Sequence, residues 1–121
     1  MRRALIVDDS LTVRKIIRRI MESLGFAVDE AADGRAALDA IRQRSVDVVM
    51  LDWNMPVMDG ITFLRQIRTD PSIAATTVIF CTSMNELPQI QEALDAGADE
   101  YVMKPFDEEL IREKLEQTGV L

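Results

Sequence analysis

Histidine is absent from the sequence, and its absence excludes several kinds of site. A Ser-His-Asp triad, a Cys-His dyad and a zinc site with histidine ligands all require an imidazole. For the same reason, the chain cannot donate a phosphoryl group from a histidine of its own. The single cysteine, Cys81, excludes an intramolecular disulfide, and its apolar neighbours favour a small buried side chain over a reactive thiol.

Long apolar runs and positive charge are also scarce. No apolar run reaches the length of about 18 residues that a transmembrane helix needs. The N-terminal apolar run is too short for a signal peptide, which favours a cytoplasmic location. The chain has 14 Lys and Arg residues against 21 Asp and Glu residues, and nucleic-acid binding depends on cationic contacts to phosphate. We therefore expect neither a nucleic-acid partner nor a membrane partner.

What the sequence does contain is an alternation of strand and helix patterns, in a length that suits one domain over residues 1–121. Five short apolar segments are predicted as strands, at 4–7, 27–31, 46–51, 77–81 and 100–103. A helical spacing of apolar residues follows each strand, and Gly60 is expected to break the chain before the third helix. Five such units predict an α/β fold, with a parallel sheet covered by helices on both faces.

Capping and turn residues mark the ends of several helices. Ser10 and Asp107 are predicted N-caps of the first and last helices. Gly25 and Gly97 stand where the first helix and the fourth helix, predicted over 87–96, are expected to stop. Asp33-Gly34 predicts a turn before the second helix.

Polar residues close four of the five predicted strands. Asp8 and Asp9 follow the first strand, Asp52 follows the third, Thr82 the fourth and Lys104 the fifth. Ligands of open parallel sheets bind outside the carboxyl ends of the strands. Each of these residues alone has an ordinary structural explanation, as a solvated turn, a helix cap or a surface charge. Their joint occurrence at four strand ends favours a functional site.

The chemistry of this set indicates a metal and a phosphoryl group. Three carboxylates in one crevice raise one another's pKa, and a hard dication removes that cost. Mg²⁺ prefers oxygen ligands, so Asp9 and Asp52 are the candidate direct ligands and Asp8 the holder of a coordinated water. A lysine and a hydroxyl beside such a metal are typical of phosphoryl transfer, in which an aspartate can itself be the nucleophile.

Four segments closely resemble the receiver domains of two-component response regulators, above all those of the CheY type. They are IVDDS at 6–10, LDWNMPVMDG at 51–60, CTS at 81–83 and YVMKPF at 101–106. The motifs occur in family order and the resemblance runs from residue 3 to about residue 117. It implies a flavodoxin-like (βα)5 fold with strand order 2-1-3-4-5. It also implies a single-domain response regulator, which we expect to be monomeric.

The resemblance assigns a role to each matching residue. Asp52 is expected to be the phosphoacceptor, with Mg²⁺ held by Asp9, Asp52 and the backbone carbonyl of Asn54, and with Asp8 in the outer shell. Lys104 is expected to pair with the phosphoryl group, and the Lys104-Pro105 bond to be cis. Further expectations are that Thr82 binds a phosphoryl oxygen and that Thr82 and Tyr101 form the conformational switch.

The resemblance also implies the partners. A histidine kinase would supply the phosphoryl group, and a downstream target protein or phosphotransferase would respond to it. The chain would catalyse its own phosphorylation and dephosphorylation, but it would not be an enzyme that turns over a separate substrate. The Asp52-Trp53-Asn54 match favours chemotaxis. Met84 stands where CheY-type proteins often carry an acid, which leaves the lifetime of the phosphorylated state open.

Three alternatives remain at this point. A phosphorelay intermediate would have the same site and is not separated from the leading interpretation. A phosphatase of the haloacid-dehalogenase type would need a second aspartate where Asn54 stands, and room for a substrate cap. A degenerate receiver that is never phosphorylated is disfavoured because the site residues are retained.

The polar face of the first helix has two interpretations. Arg14, Lys15, Arg18 and Arg19 lie there at a spacing that brings like charges together. A solvated face balanced by nearby acids is favoured, and a docking surface for an acidic partner, such as the kinase, is the alternative.

Overall fold

The computed structural model describes residues 1–83 and 87–121, which form one sheet and its covering helices. The strands are β1 (Arg3–Val7), β2 (Ala27–Ala31), β3 (Val48–Leu51), β4 (Thr77–Thr82) and β5 (Glu100–Met103). The helices are α1 (Leu11–Ser23), α2 (Gly34–Gln43), α3 (Gly60–Thr69), α4 (Leu87–Asp95) and α5 (Glu108–Gln117). All strand pairs are parallel and the order is β2-β1-β3-β4-β5, which confirms the predicted fold class.

Helices cover both faces of this sheet, so β1, β3 and β4 are buried on both sides, whereas most residues of the outer strands β2 and β5 are half-buried. Because strand side chains alternate between faces, Leu5 and Val7 join one core cluster and Ala4 and Ile6 join the other. The first cluster lies under α2, α3 and α4, and the second lies under α1 and α5. All four side chains of β3 are buried, as expected for the central strand of a sheet covered twice.

Short polar side chains begin four of the helices. The side chains of Ser10, Asp33, Asp59 and Asp107 each accept a hydrogen bond from the backbone N–H three residues on. The predicted caps Ser10 and Asp107 are therefore confirmed. Gly25 and Gly97 have φ values of 94° and 106°, the left-handed conformation that favours glycine where a helix ends.

Some predicted boundaries differ from the structure. β3 begins at Val48 and not at residue 46. Just before it, the Asp47 N–H donates to the Arg3 carbonyl at 2.9 Å, and the Asp47 carboxylate accepts from the Arg3 N–H at 2.7 Å. Asp33-Gly34, predicted as a turn before the second helix, is instead the N-cap and the first residue of α2. β4 extends through Thr82, and α4 ends at Asp95.

Two further expectations concern the backbone and the membrane. The Lys104-Pro105 peptide bond is cis, as the resemblance implied. Among the described residues, no helix combines the length and the apolar character needed to cross a membrane. The cytoplasmic location stays a prediction.

Candidate functional site: an acidic pocket at the carboxyl edge of the sheet

Backbone hydrogen bonds carry the ladder one residue beyond the strands and so fix where the polar side chains begin. The Asp52 N–H donates to the Val7 carbonyl at 2.8 Å, and the Lys104 N–H donates to the Thr82 carbonyl at 2.8 Å. The Asp8 N–H donates to the Ala31 carbonyl at 3.1 Å. The side chains of Asp8, Asp52 and Lys104 therefore start from ordered backbone at one edge of the sheet.

Three carboxylates meet at this edge. Asp8, Asp9 and Asp52 each offer one oxygen, and these oxygens lie within 4.8 Å of one another. The Asp8 side chain is 2% exposed and that of Asp52 is 14% exposed, whereas Asp9 is exposed. Such a set of hard oxygen donors, open to solvent on one side, fits Mg²⁺ with part of its water shell retained.

Lys104 bridges two of these carboxylates. Its Nζ donates to Asp8 Oδ2 at 3.1 Å and to Asp52 Oδ1 at 3.2 Å. The backbone N–H of Ser10 donates to the second oxygen of Asp8 at 2.9 Å, so both Asp8 oxygens are engaged. Both oxygens of Asp8 are therefore hydrogen-bonded, whereas Asp52 keeps an oxygen that is not bonded to Lys104.

The pKa shifts in the pocket follow from burial and from these charges. Burial raises the pKa of Asp52, and the nearby charge of Asp8 adds to the rise, although Lys104 opposes both. Burial alone would lower the pKa of Lys104, but the charges and hydrogen bonds of Asp52 and Asp8 outweigh it and raise that pKa. One ammonium thus compensates the buried carboxylates only in part, and an added cation would favour the ionised form of Asp52.

An apolar wall with a small cavity lies beside Asp52. Trp53 and Phe80 pack with ring centroids 5.2 Å apart, tilted by 38°. The cavity has a volume of about 10 Å³, and its lining includes these two rings, Thr82, which is 5% exposed, and Tyr101. Lys114 Nζ lies over the Tyr101 ring, 5.6 Å from the ring centroid.

The structure brings most of the predicted site residues together. Asp8, Asp9, Asp52 and Lys104 share the pocket, and Thr82 and Tyr101 share the adjoining cavity. Asn54 is exposed and lines an open groove together with Asp9. The chemical roles of these residues remain predictions. Met84 lies outside the described residues.

Sequence reasoning missed the contribution of Gly60, which it took only as a break in the chain. Gly60 is buried, and a Cβ at this position would collide with the backbone carbonyl oxygen of Asp52. Its N–H also donates to the Trp53 carbonyl at 2.9 Å. Glycine thus allows α3 to begin directly against the backbone of the candidate phosphoacceptor. Its place eight residues after an aspartate that closes a strand was the available signal.

The basic face of α1 is partly neutralised within the chain, as the favoured interpretation expects. Arg14 and Arg18 both bond the Glu30 carboxylate, at 2.9 Å and 2.6 Å. Burial would raise the pKa of Glu30, but the two guanidinium groups outweigh it and lower that pKa. Lys15 and Arg19 are exposed. The docking interpretation therefore concerns these two residues at most.

Comparison with known proteins decides the family. Residues 4–116 match the family described as the response regulator receiver domain. The chain belongs to this family. It is 41% identical over 114 residues to the chemotaxis protein CheY of Pseudomonas aeruginosa, which covers 93% of this chain and 92% of that one. It is 40% identical over 114 residues to the chemotaxis protein CheY-3 of Vibrio cholerae, covering 93% of this chain and 88% of that protein.

Solved structures of receiver proteins agree with the fold. Vibrio cholerae CheY4 superposes with a TM-score of 0.91 at 32% identity, covering 98% of both chains. CheY of Borrelia burgdorferi, in a complex with CheX, BeF3 and Mg, also gives a TM-score of 0.91 at 32% identity, covering 99% of this chain and 90% of that one.

Proposed function

We propose that this receiver domain is a signalling switch that accepts a phosphoryl group on Asp52 from a histidine kinase in the presence of Mg²⁺. The observation that carries the proposal is the convergence of three carboxylates and Lys104 at the carboxyl edge of the sheet, where Asp52 is partly buried and keeps one oxygen that is not bonded to Lys104. Asp8 is fully engaged and Asp9 is exposed, so neither is as well placed to be the nucleophile.

The proposed reaction is a direct transfer. A carboxylate oxygen of Asp52 attacks the phosphorus of a phosphohistidine, the P–N bond breaks, and the electron pair stays on the departing imidazole. Asp9, Asp52 and the Asn54 carbonyl would hold Mg²⁺, which would supply positive charge to neutralise the phosphoryl oxygens. Lys104, already 3.2 Å from Asp52, is placed to pair with a phosphoryl oxygen once the group has arrived.

The proposed output is a change of conformation around β4 and β5. New negative oxygens at Asp52 would attract the Thr82 hydroxyl from the end of β4, and the Tyr101 ring would respond because both residues line one cavity. A local electrostatic event would thus reach the outer surface of α4, β5 and α5, where a target protein or phosphotransferase could read it. The chemotaxis names of the two relatives support a role in chemotaxis.

Labelling tests the reaction. Acetyl phosphate with Mg²⁺ should add one phosphoryl group to the wild-type protein by intact mass, and none to Asp52→Asn. Asp59→Asn is the matched control, because Asp59 caps α3 in the same loop but makes its side-chain contact with the Thr62 N–H, outside the carboxylate cluster. Equal labelling of wild type and Asp52→Asn contradicts the proposal.

The metal has its own test. Mg²⁺ in the millimolar range should quench the fluorescence of Trp53, the only tryptophan, and should raise the melting temperature because the ion binds the folded state. Ca²⁺-free and Mg²⁺-free buffer with matched ionic strength is the control. An unchanged signal would contradict the metal site and leave the labelling test to decide the identity of the acceptor.

A further inference from the structure

Gly34, at the start of α2, lies against the loop that connects β3 to α3 although it is outside the acidic pocket. Its N–H donates to the carbonyl oxygen of Met58 at 3.0 Å. A Cβ built on Gly34 would lie 2.6 Å from that same oxygen, and 2.9 Å and 3.0 Å from the Met58 Cγ and Cβ atoms. A backbone oxygen cannot rotate away as a flexible side chain can, so any larger residue at 34 must displace the loop.

Conformation does not explain glycine at this position. The glycines with positive φ are Gly25, Gly97 and Gly119, and Gly34 is not among them. Alanine would suit the helical backbone better than glycine does, because glycine is a poor helix former. What requires glycine at 34 is therefore the close approach to Met58.

The loop that Gly34 contacts is strained. Val57 has φ = 68°, an unusual value for a β-branched residue. The residue is 83% exposed, so packing of its side chain does not hold this conformation. The Met58 N–H donates to the Pro56 carbonyl at 2.7 Å, which closes a tight turn around Val57. Strain of this kind persists only when the surroundings impose it.

Two backbone hydrogen bonds impose it. The Gly60 N–H holds the Trp53 carbonyl at one end of the loop, and the Gly34 N–H holds the Met58 carbonyl at the other. Between these two fixed points lies Asn54, whose carbonyl is the third Mg²⁺ ligand under the proposed function.

We propose that Gly34 is a positioning residue for the metal site: its close contact with Met58 keeps the strained loop in the form that presents the Asn54 carbonyl to Mg²⁺. The inference rests on the proposed function for the identity of the ion and on the contacts of Gly34 for the loop. Outer contacts that orient metal ligands typically change metal affinity by 10- to 100-fold when they are removed.

The test is Gly34→Ala beside Gly25→Ala as a matched control. Gly25 is exposed at the end of α1, has nothing within 4 Å of an added Cβ, and has positive φ, so alanine there strains the fold without touching the loop. Two quantities are measured in each protein: the amide chemical shifts and hydrogen exchange of Met58 and Gly60 without metal, and the Kd for Mg²⁺ from Trp53 fluorescence.

The expected result is that Gly34→Ala alters the Met58 and Gly60 amides without metal and weakens Mg²⁺ binding by about tenfold, whereas Gly25→Ala changes neither. Unaltered amides in Gly34→Ala, or equal effects of both variants, would overturn the inference. If the wild type itself fails to bind Mg²⁺, the metal step of the proposed function is refuted. In that case altered loop amides would still support Gly34 as the contact that positions the loop, and unaltered amides would refute it.

Discussion

Arg68, near the end of α3, should be costly to remove because its half-buried guanidinium group joins several segments of the chain. Its guanidinium group donates twice to the Gly97 carbonyl, at 3.0 Å and 2.7 Å, and to the carbonyls of Ala74 and Thr76 at 2.9 Å and 2.6 Å. It also bonds the Asp99 carboxylate at 3.0 Å. One side chain thus joins α3 to the segment before β4 and to the turn between α4 and β5, at the sheet edge opposite the pocket.

The loss of stability on removing Arg68 can be estimated from its hydrogen bonds. Arg68→Met keeps the apolar stem of the side chain but leaves three carbonyl groups without their hydrogen-bond donor. Because water can replace the donor only in part, each lost hydrogen bond should lower the free energy of unfolding by about 1 kcal/mol. The Asp99 pair adds little, because Asp99 is 43% exposed and its Oδ2 also accepts from the Val78 N–H at 2.8 Å. We expect a loss of about 3 kcal/mol in the free energy of unfolding, or roughly 12 °C in Tm for a chain of this size.

Urea unfolding followed by circular dichroism measures this loss, with Arg65→Met as the matched control. Arg65 lies one turn earlier on α3, is 57% exposed and makes a 3.3 Å contact with Glu92, so its removal should cost less than about 0.5 kcal/mol. Under native conditions, Arg68→Met should still be phosphorylated because the pocket lies at the other edge. A loss below about 1 kcal/mol, or equal losses for both variants, would refute this account of Arg68.

Three further predictions concern the pocket and its loop. Lys104→Met should lower the free energy of unfolding without metal by about 2 kcal/mol in urea unfolding. This loss is smaller than that expected for a fully buried ion pair, because the Ser10 N–H still donates to Asp8. An unchanged free energy of unfolding would show that the two ion pairs contribute nothing. Asp52→Asn should be more stable than wild type at neutral pH, because the raised pKa of Asp52 means that its charged form destabilises the fold. This gain in stability should disappear as the pH falls through the pKa of Asp52. A gain that persists in acid would show that the charge of Asp52 is not what destabilises the fold. Val57→Gly should raise the free energy of unfolding by about 1 kcal/mol by removing the strain at φ = 68°, whereas a lower stability would mean that the turn is not strained.

The sequence was most informative where one physical rule dominated. Strands 27–31 and 100–103 were predicted at their observed bounds, and the parallel sheet followed from the strand–helix alternation. Because ligands of open parallel sheets bind at the carboxyl ends of the strands, the sequence alone predicted that Asp8, Asp52 and Lys104 lie in one pocket. The strand order 2-1-3-4-5 came from the family resemblance, because alternation alone does not determine which strands are neighbours.

What the sequence could not reveal depends on contacts between distant segments. Gly34 and Gly60 looked like ordinary turn residues, and only the approach of Met58 and of the Asp52 carbonyl shows why no side chain fits there. The Arg68 contacts join α3 to Gly97, a residue 29 positions away. On the basic face of α1, Arg14 and Arg18 are paired with Glu30. These pairs likewise depend on how β2 lies beside the helix.

The central claim, that Asp52 is the residue that receives the phosphoryl group, is tested most directly by chemical trapping. An aspartyl phosphate is an acyl phosphate, so borohydride reduces it to homoserine and marks the modified position permanently. After incubation with acetyl phosphate and Mg²⁺, reduction and peptide sequencing by mass spectrometry, the account predicts homoserine at position 52 and unmodified aspartate at positions 8, 9 and 59. Homoserine at any of those three positions, or none at position 52, would contradict it.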